Sequence, residues 1–226
     1  MTVPAAEGSF EVPGSCAVSS LSVRPEGEAR LGYVLAHGAG AGMRHPFLEA
    51  MAARLAASGV ATFRYQFPYM ERKQRRTDQP AVAAAAVRAA VERAAAELPG
   101  LPLVAGGKSF GGRMTSTAAA EAPLPGVRGL AFLGFPLHPP GKPATSRAEH
   151  LARVTVPMLF LQGTRDEFAE LALLEQVVRG LGGRATLHLV EGANHSFAVP
   201  KSVAAARTTD VKDELAETLS RWAAGL

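Results

Sequence analysis

The feature that most constrains this chain is its alternation of short β-rich runs with Ala-rich helical stretches. Strand-like runs fall at Ala17–Val23, Arg30–Ala36, Val60–Tyr65, Leu103–Gly106, Gly129–Leu133, Met158–Gln162 and Ala185–Val190. Helical spacing fills the gaps, at Pro46–Ser58, Ala81–Leu98, Ser109–Ala120, Phe168–Leu181 and Val211–Trp222. Such alternation predicts an α/β fold with a mostly parallel central sheet and helices on both faces. Ala17–Val23 and Arg30–Ala36 are close in sequence, so these two are expected to pair antiparallel. The stripe Val87, Val91, Ala94 and Leu98, and the stripe Val211, Leu215, Leu219 and Trp222, have the spacing of a buried helix face. Gly59 is a good stop for the first helix.

Length and composition narrow the reading. At 226 residues and 47% hydrophobic, the chain is read as one domain, 1–226, that buries a large core without staples. The Pro-rich segment Phe135–Pro143 is read as a loop and not as a boundary. Only about 23 residues separate Leu133 from Met158, too few for a helical lid domain. No apolar run reaches the roughly 18 residues of a membrane span, and Met1–Phe10 lacks a signal-peptide pattern, so no membrane partner is expected. Cys16 is the single cysteine, which excludes an internal disulfide and a cysteine zinc cage and favours a cytoplasmic protein. The net charge is +4, with much of the excess in Arg72, Lys73, Arg75 and Arg76. That patch is too narrow for a nucleic-acid stripe and reads first as a solvated loop.

The strongest local signal is Gly107-Lys108-Ser109-Phe110-Gly111. It reads G-x-S-x-G, follows the apolar run Leu103-Val104-Ala105 and precedes a helical stretch. That is the setting of a nucleophile elbow, in which a tight turn lifts a serine above a sheet. A serine needs a base. Of six histidines, His195 lies in a loop just after the last expected strand, whereas His188 lies inside that strand and reads as structural. The base needs an acid to hold its tautomer. Asp166 sits after Met158–Gln162 and a glycine turn, at the strand end where α/β sheets bind ligands. Glu167 is the neighbouring competitor, read as the start of the next helix. The order Ser109, Asp166, His195 is that of a G-x-S-x-G hydrolase. An oxyanion needs two N–H donors. Phe110 is expected to give one. The Gly-rich loop His37–Gly42 is expected to give the other, from Ala39 or, as the alternative, from Gly40. His37 reads as a structural anchor of that loop. The loop lacks both the P-loop ending and the G-x-G-x-x-G spacing, which argues against a nucleotide cradle.

These residues resemble a known family. The chain resembles the α/β-hydrolase superfamily, and within it the small, lid-poor hydrolases related to dienelactone hydrolases and to testis-expressed-protein-type hydrolases. The likeness is carried by His37-Gly38-Ala39-Gly40, Arg64–Met70, Gly107–Arg113, Phe135–Lys142, Gln162–Asp166 and Asn194–Phe197. Dienelactone hydrolases proper have cysteine where this chain has Ser109. The resemblance implies an α/β-hydrolase fold, the triad Ser109, Asp166 and His195, cleavage of an ester-type bond of a small molecule, and no metal or organic cofactor. A peptidase or acyltransferase using the same triad, or a non-catalytic interaction module on this fold, is the alternative. Gly40, Arg72, Lys73 and His138 are candidate substrate-binding residues. Arg64, Arg72, Lys73, Arg75 and Arg76 could steer an anionic substrate, and His138 and Lys142 could line the mouth.

Overall fold

Strands covered by helices on both faces bury every side chain, and here they read as nearly unbroken apolar runs. In the computed structural model, which describes residues 5–226, these runs form an eight-stranded sheet. The strands are β1 (Ala5–Glu11), β2 (Ala17–Val23), β3 (Leu31–Ala36), β4 (Val60–Tyr65), β5 (Leu103–Lys108), β6 (Val127–Leu133), β7 (Met158–Gly163) and β8 (Ala185–Val190). Their spatial order is β1-β2-β4-β3-β5-β6-β7-β8. From β4 to β8 every pairing is parallel. All residues of β3, β4 and β7 are buried.

The helices are α1 (Pro46–Ala57), α2 (Pro68–Glu71), α3 (Pro80–Glu97), α4 (Phe110–Glu121), α5 (Leu171–Leu181), α6 (Lys201–Ala206) and α7 (Val211–Ala223). One apolar layer joins α3 and α4 to the sheet through Val87, Val91, Met114 and Phe132. The opposite layer joins α1 and α7 through Leu48, Met51, Leu215 and Leu219. The stripes expected to face the sheet do so. Gly59 takes a φ of +76° just past α1, as a helix stop requires.

Several expectations are corrected. β2 does not pair with β3; it pairs antiparallel with β1 on one side and β4 on the other. Closeness in sequence favours a hairpin only when no better partner exists, and β1 supplies one. β1 itself was not expected, because Ala5–Glu11 is largely exposed and has no buried face to give it away. α5 begins at Leu171, not Phe168, because the carboxylate of Asp166 accepts from Phe168 N–H and turns the chain there. The segment between β4 and α3 holds the short α2, with Pro68 at its first turn. The chain from Gly134 to Pro157 carries one 3-10 helix, Ser146–Arg153, and no lid-sized element.

Candidate active site

The site is built on the elbow between β5 and α4. Ser109 takes φ +50° and ψ −114°, outside the regions open to ordinary side chains. Such a conformation costs roughly 1–3 kcal/mol and persists only where its surroundings enforce it. They do so by close approach. A side chain at Gly107 would meet the Ala36 carbonyl oxygen at 2.2 Å, and one at Gly111 would meet the His37 carbonyl oxygen at 2.6 Å. β5 and α4 can lie this close to β3 only because both positions are glycine. Ser109 N–H donates to the Leu133 carbonyl at 3.1 Å, which ties the turn to β6.

His195 follows β8 on a tight turn. Asn194 Oδ1 accepts from Ser196 N–H and Ala198 N–H, each at 3.0 Å, and so closes that turn. His195 Nε2 lies 2.9 Å from Ser109 Oγ. Its Nδ1 lies 2.8 Å from Asp166 Oδ2 and 2.9 Å from Oδ1. The Asp166 side chain is fully buried and that of His195 is 13% exposed. The carboxylate also accepts from Gln162 Nε2 at 2.5 Å and from Phe168 N–H at 2.8 Å. Gln162 Oε1 accepts from Phe135 N–H, which fixes which way that amide faces. The Phe168 ring lies against the imidazole, with centroids 4.3 Å apart. A hydroxyl bonded to an imidazole that a buried carboxylate orients is the arrangement that makes serine nucleophilic at neutral pH.

The Gly-rich loop after β3 stands over the elbow. His37 anchors it, as expected: Nδ1–H donates to the Gly38 carbonyl at 2.7 Å, and Nε2 accepts from Phe67 N–H at 3.1 Å. Burial pushes the His37 imidazole down to about 4, so it is neutral. Gly40 N–H donates to the Tyr69 hydroxyl at 2.9 Å. Among the described residues, neither Ala39 N–H nor Phe110 N–H has a hydrogen-bond partner. Ala39 is exposed, and Phe110 opens α4, where N–H groups are free by construction. Of the two loop candidates, Gly40 is thus occupied and Ala39 is open.

The remaining candidates lie elsewhere. Arg72 reaches Ser15 Oγ at 3.0 Å, on the β1–β2 turn. Lys73 lines a groove of about 360 Å³ with Glu7, Ser20, Gly42 and Gln66, beside the loop and not over Ser109. Arg64, expected to attract substrate, is buried and donates to the Met43 carbonyl at 2.9 Å. His138 does not line a mouth. It is buried, with Nδ1 on the Pro139 carbonyl and Nε2 accepting from Glu170 N–H, so it ties the Pro-rich loop to the start of α5. Glu167 lies before α5, and its carboxylate accepts from His195 N–H at 3.4 Å; it makes no contact with the imidazole nitrogens. The other histidines serve the scaffold. His45 caps α1, His150 meets Ser116 Oγ, and His188 meets Glu214 across β8 and α7. Sequence reading missed Gln162, Phe168, Tyr69 and Asn194. Only Asn194, next to a candidate histidine, carried a local turn signal.

The sequence model of the alpha/beta hydrolase domain matches residues 29–224. The chain belongs to the α/β-hydrolase family. Among solved structures it is similar to an α/β serine hydrolase without lid from Xanthomonas campestris, at 20% identity and a TM-score of 0.75, covering 98% of this chain and 96% of that one. It is also similar to a dienelactone hydrolase from Anabaena variabilis, at 21% identity, TM-score 0.73 and coverage of 98% and 97%. A third is an alpha-beta serine hydrolase homologue from Coxiella burnetii, at 19% identity, TM-score 0.73 and coverage of 96% for both chains. At these identities the likeness establishes the fold.

Proposed function

We propose that this chain is a serine hydrolase that cleaves an ester-type bond, carboxylic ester or thioester, of a small molecule through an acyl-enzyme. The observation that carries the reading is the unbroken hydrogen-bonded chain Asp166–His195–Ser109 on a strained elbow. His195 Nε2 takes the proton as Ser109 Oγ attacks the carbonyl carbon. Asp166 holds Nδ1–H and stabilises the imidazolium. The oxyanion is met by Phe110 N–H, at the start of α4, and by Ala39 N–H. His195 returns its proton to the leaving group, then activates a water that releases the acid and restores Ser109. Gly40 contributes by bonding Tyr69, which holds the loop, and not by touching substrate.

The dienelactone hydrolase named among the similar structures supports an ester-type carbonyl over an amide, a lactone being an internal ester. Arg72, Lys73 and His138 make their contacts away from Ser109 and take no part in this reading of the substrate site. A cytoplasmic setting fits the single cysteine, and no helix among the described residues is long and apolar enough to cross a membrane. A fluorophosphonate probe tests the reading. Wild type is expected to label covalently and Ser109→Ala not at all; labelling that survives in Ser109→Ala moves the nucleophile elsewhere. A panel of esters and thioesters, with Ser109→Ala as control, then sorts the substrate class.

A further inference from the structure

Lys108 has no task in the mechanism above, yet it immediately precedes Ser109 at the end of a buried strand. Placing an ammonium there works against solvation and is retained only with a partner. The partner is specific. Lys108 Nζ donates to the main-chain carbonyl oxygen of His195 at 2.6 Å. It also lies 5.4 Å from the centroid of the Phe197 ring, within cation–π range. Both contacts fall on the turn that carries the histidine. Phe197 holds that turn in the left-handed region, at φ +61°, and its ring stacks on Phe47 in α1, centroids 5.7 Å apart.

The space around the ammonium is tightly drawn. Gly134, at φ +71°, forms its floor. A side chain there would meet Lys108 Nζ at 2.9 Å, and Asp166 Oδ2 and His195 Cε1 at 3.5 Å each. Ammonium, carboxylate and imidazole edge therefore converge on one small volume. From the turn between β7 and α5, Asp166 and Glu167 face the amine; from the turn after β8, His195 does; the turn after β6 contributes only the floor. Burial pushes the Lys108 amine down to about 8, against the opposing pull of Asp166 and Glu167.

We propose that Lys108 is a positioning residue for the triad: its ammonium grips the His195 carbonyl, sets the imidazole against Ser109, and places a positive charge beside the Asp166–His195 pair. The proposal rests on the serine-hydrolase reading for its catalytic meaning. The residue flanking the nucleophile thus holds the base. The grip is strongest while the amine is charged, since charge-assisted hydrogen bonds are about twice as strong as neutral ones.

The test measures the second-order rate of fluorophosphonate labelling from pH 6 to pH 10 in wild type, Lys108→Met and Lys108→Gln. Wild type is expected to lose rate above about pH 8. Lys108→Met is expected to label at least about tenfold more slowly at pH 7, as a roughly 1 Å misplacement of the base implies. It should also show no change near pH 8. Lys108→Gln, which keeps a donor without the charge, recovers rate at pH 7 but not the change near pH 8. Thermal melts confirm that both variants are folded. The proposal is overturned if folded Lys108→Met labels within twofold of wild type, or if it keeps the change near pH 8. A second measurement needs no activity. In 15N-histidine-labelled Ser109→Ala protein, the His195 ring signals are expected to show a step near pH 8 that Lys108→Met in the same background abolishes. Absence of that step before the lysine is replaced also overturns the proposal. Failure of wild type to label would count against the hydrolase reading alone, and the NMR comparison would still decide the role of Lys108.

Discussion

Replacing Gly111 with alanine tests whether close approach of α4 to β3 sets the catalytic geometry. The added methyl would stand 2.6 Å from the His37 carbonyl oxygen, 2.7 Å from the Ala36 carbonyl oxygen and 2.7 Å from Ala36 Cβ. All three belong to the strand and loop that carry Ala39, and two are backbone atoms that no rotamer change can move. Ordinary contact returns only if helix and loop separate by roughly 0.8 Å, on a potential that rises steeply at such distances. Overpacking of this kind costs about 1–3 kcal/mol. A glycine-to-alanine change inside a helix returns about 1 kcal/mol. The net loss, about 0–2 kcal/mol, lowers Tm by up to roughly 8 °C for a chain of this size. The effect on chemistry is larger, because the separation opens the gap between Phe110 N–H and Ala39 N–H. A displacement near 1 Å costs on the order of a hundredfold in rate. Gly180→Ala is the matched control, since its position in α5 has open space and no positive φ. Differential scanning fluorimetry and fluorophosphonate labelling read both quantities. Gly111→Ala with a Tm at or above wild type and labelling within threefold would refute the argument that this contact fixes the site.

Other outcomes follow from the same contacts. Gly180→Ala itself is expected to raise stability by about 0.5–1 kcal/mol through helix propensity, measured by urea unfolding; a loss would show that α5 is packed more closely there than the open space implies. Asp166→Asn keeps the shape but reverses hydrogen-bonding at His195 Nδ1, and should lower kcat a thousandfold or more, of the order known for serine triads. Tyr69→Phe removes the acceptor for Gly40 N–H and should cost about 1 kcal/mol of stability together with a several-fold fall in labelling. An unchanged labelling rate would mean that His37, Arg64 and Gln66 hold the loop without Tyr69. His37 makes stability fall with acid. Its folded value, about 4, lies below the unfolded 6.5, so between these pH values the unfolded chain binds more protons. The stabilisation lost from pH 7 to pH 4.5 is about 2–3 kcal/mol, and His37→Asn should lose correspondingly less over the same interval.

What the sequence disclosed, and what it hid, divides along a physical line. Ser109, Asp166 and His195 were legible because each position is set by the backbone. A serine between glycines after an apolar strand has few places to go, and residues just past the ends of parallel strands share one edge of the sheet. The glycines of the elbow were legible for the same reason, and Gly107 and Gly111 are glycine because β3 leaves no room for more. The sheet order was less so. β2 joins β4 across a distance in sequence, and β1 carries almost no buried pattern because it lies at the sheet edge.

Roles set by the tip of a long side chain were not legible at all. Arg72, Lys73, Arg75 and Arg76 are exposed, as the solvated-loop reading expects, but the steering role also considered for them and for Arg64 hung on side-chain tips: Arg64 ends on Met43, Arg72 on Ser15, and Lys73 in a separate groove. His138 read as a mouth residue and is a buried tie. The choice between Ala39 and Gly40 turned on one phenol, 29 residues away, that occupies a single N–H. Lys108 stood inside the strongest motif in the chain, and nothing in that motif says that its amine meets the carbonyl of a histidine 87 residues later. A motif constrains where the main chain must pass. The contacts that tune it are made by groups four or five bonds from that main chain, whose partners only the fold selects.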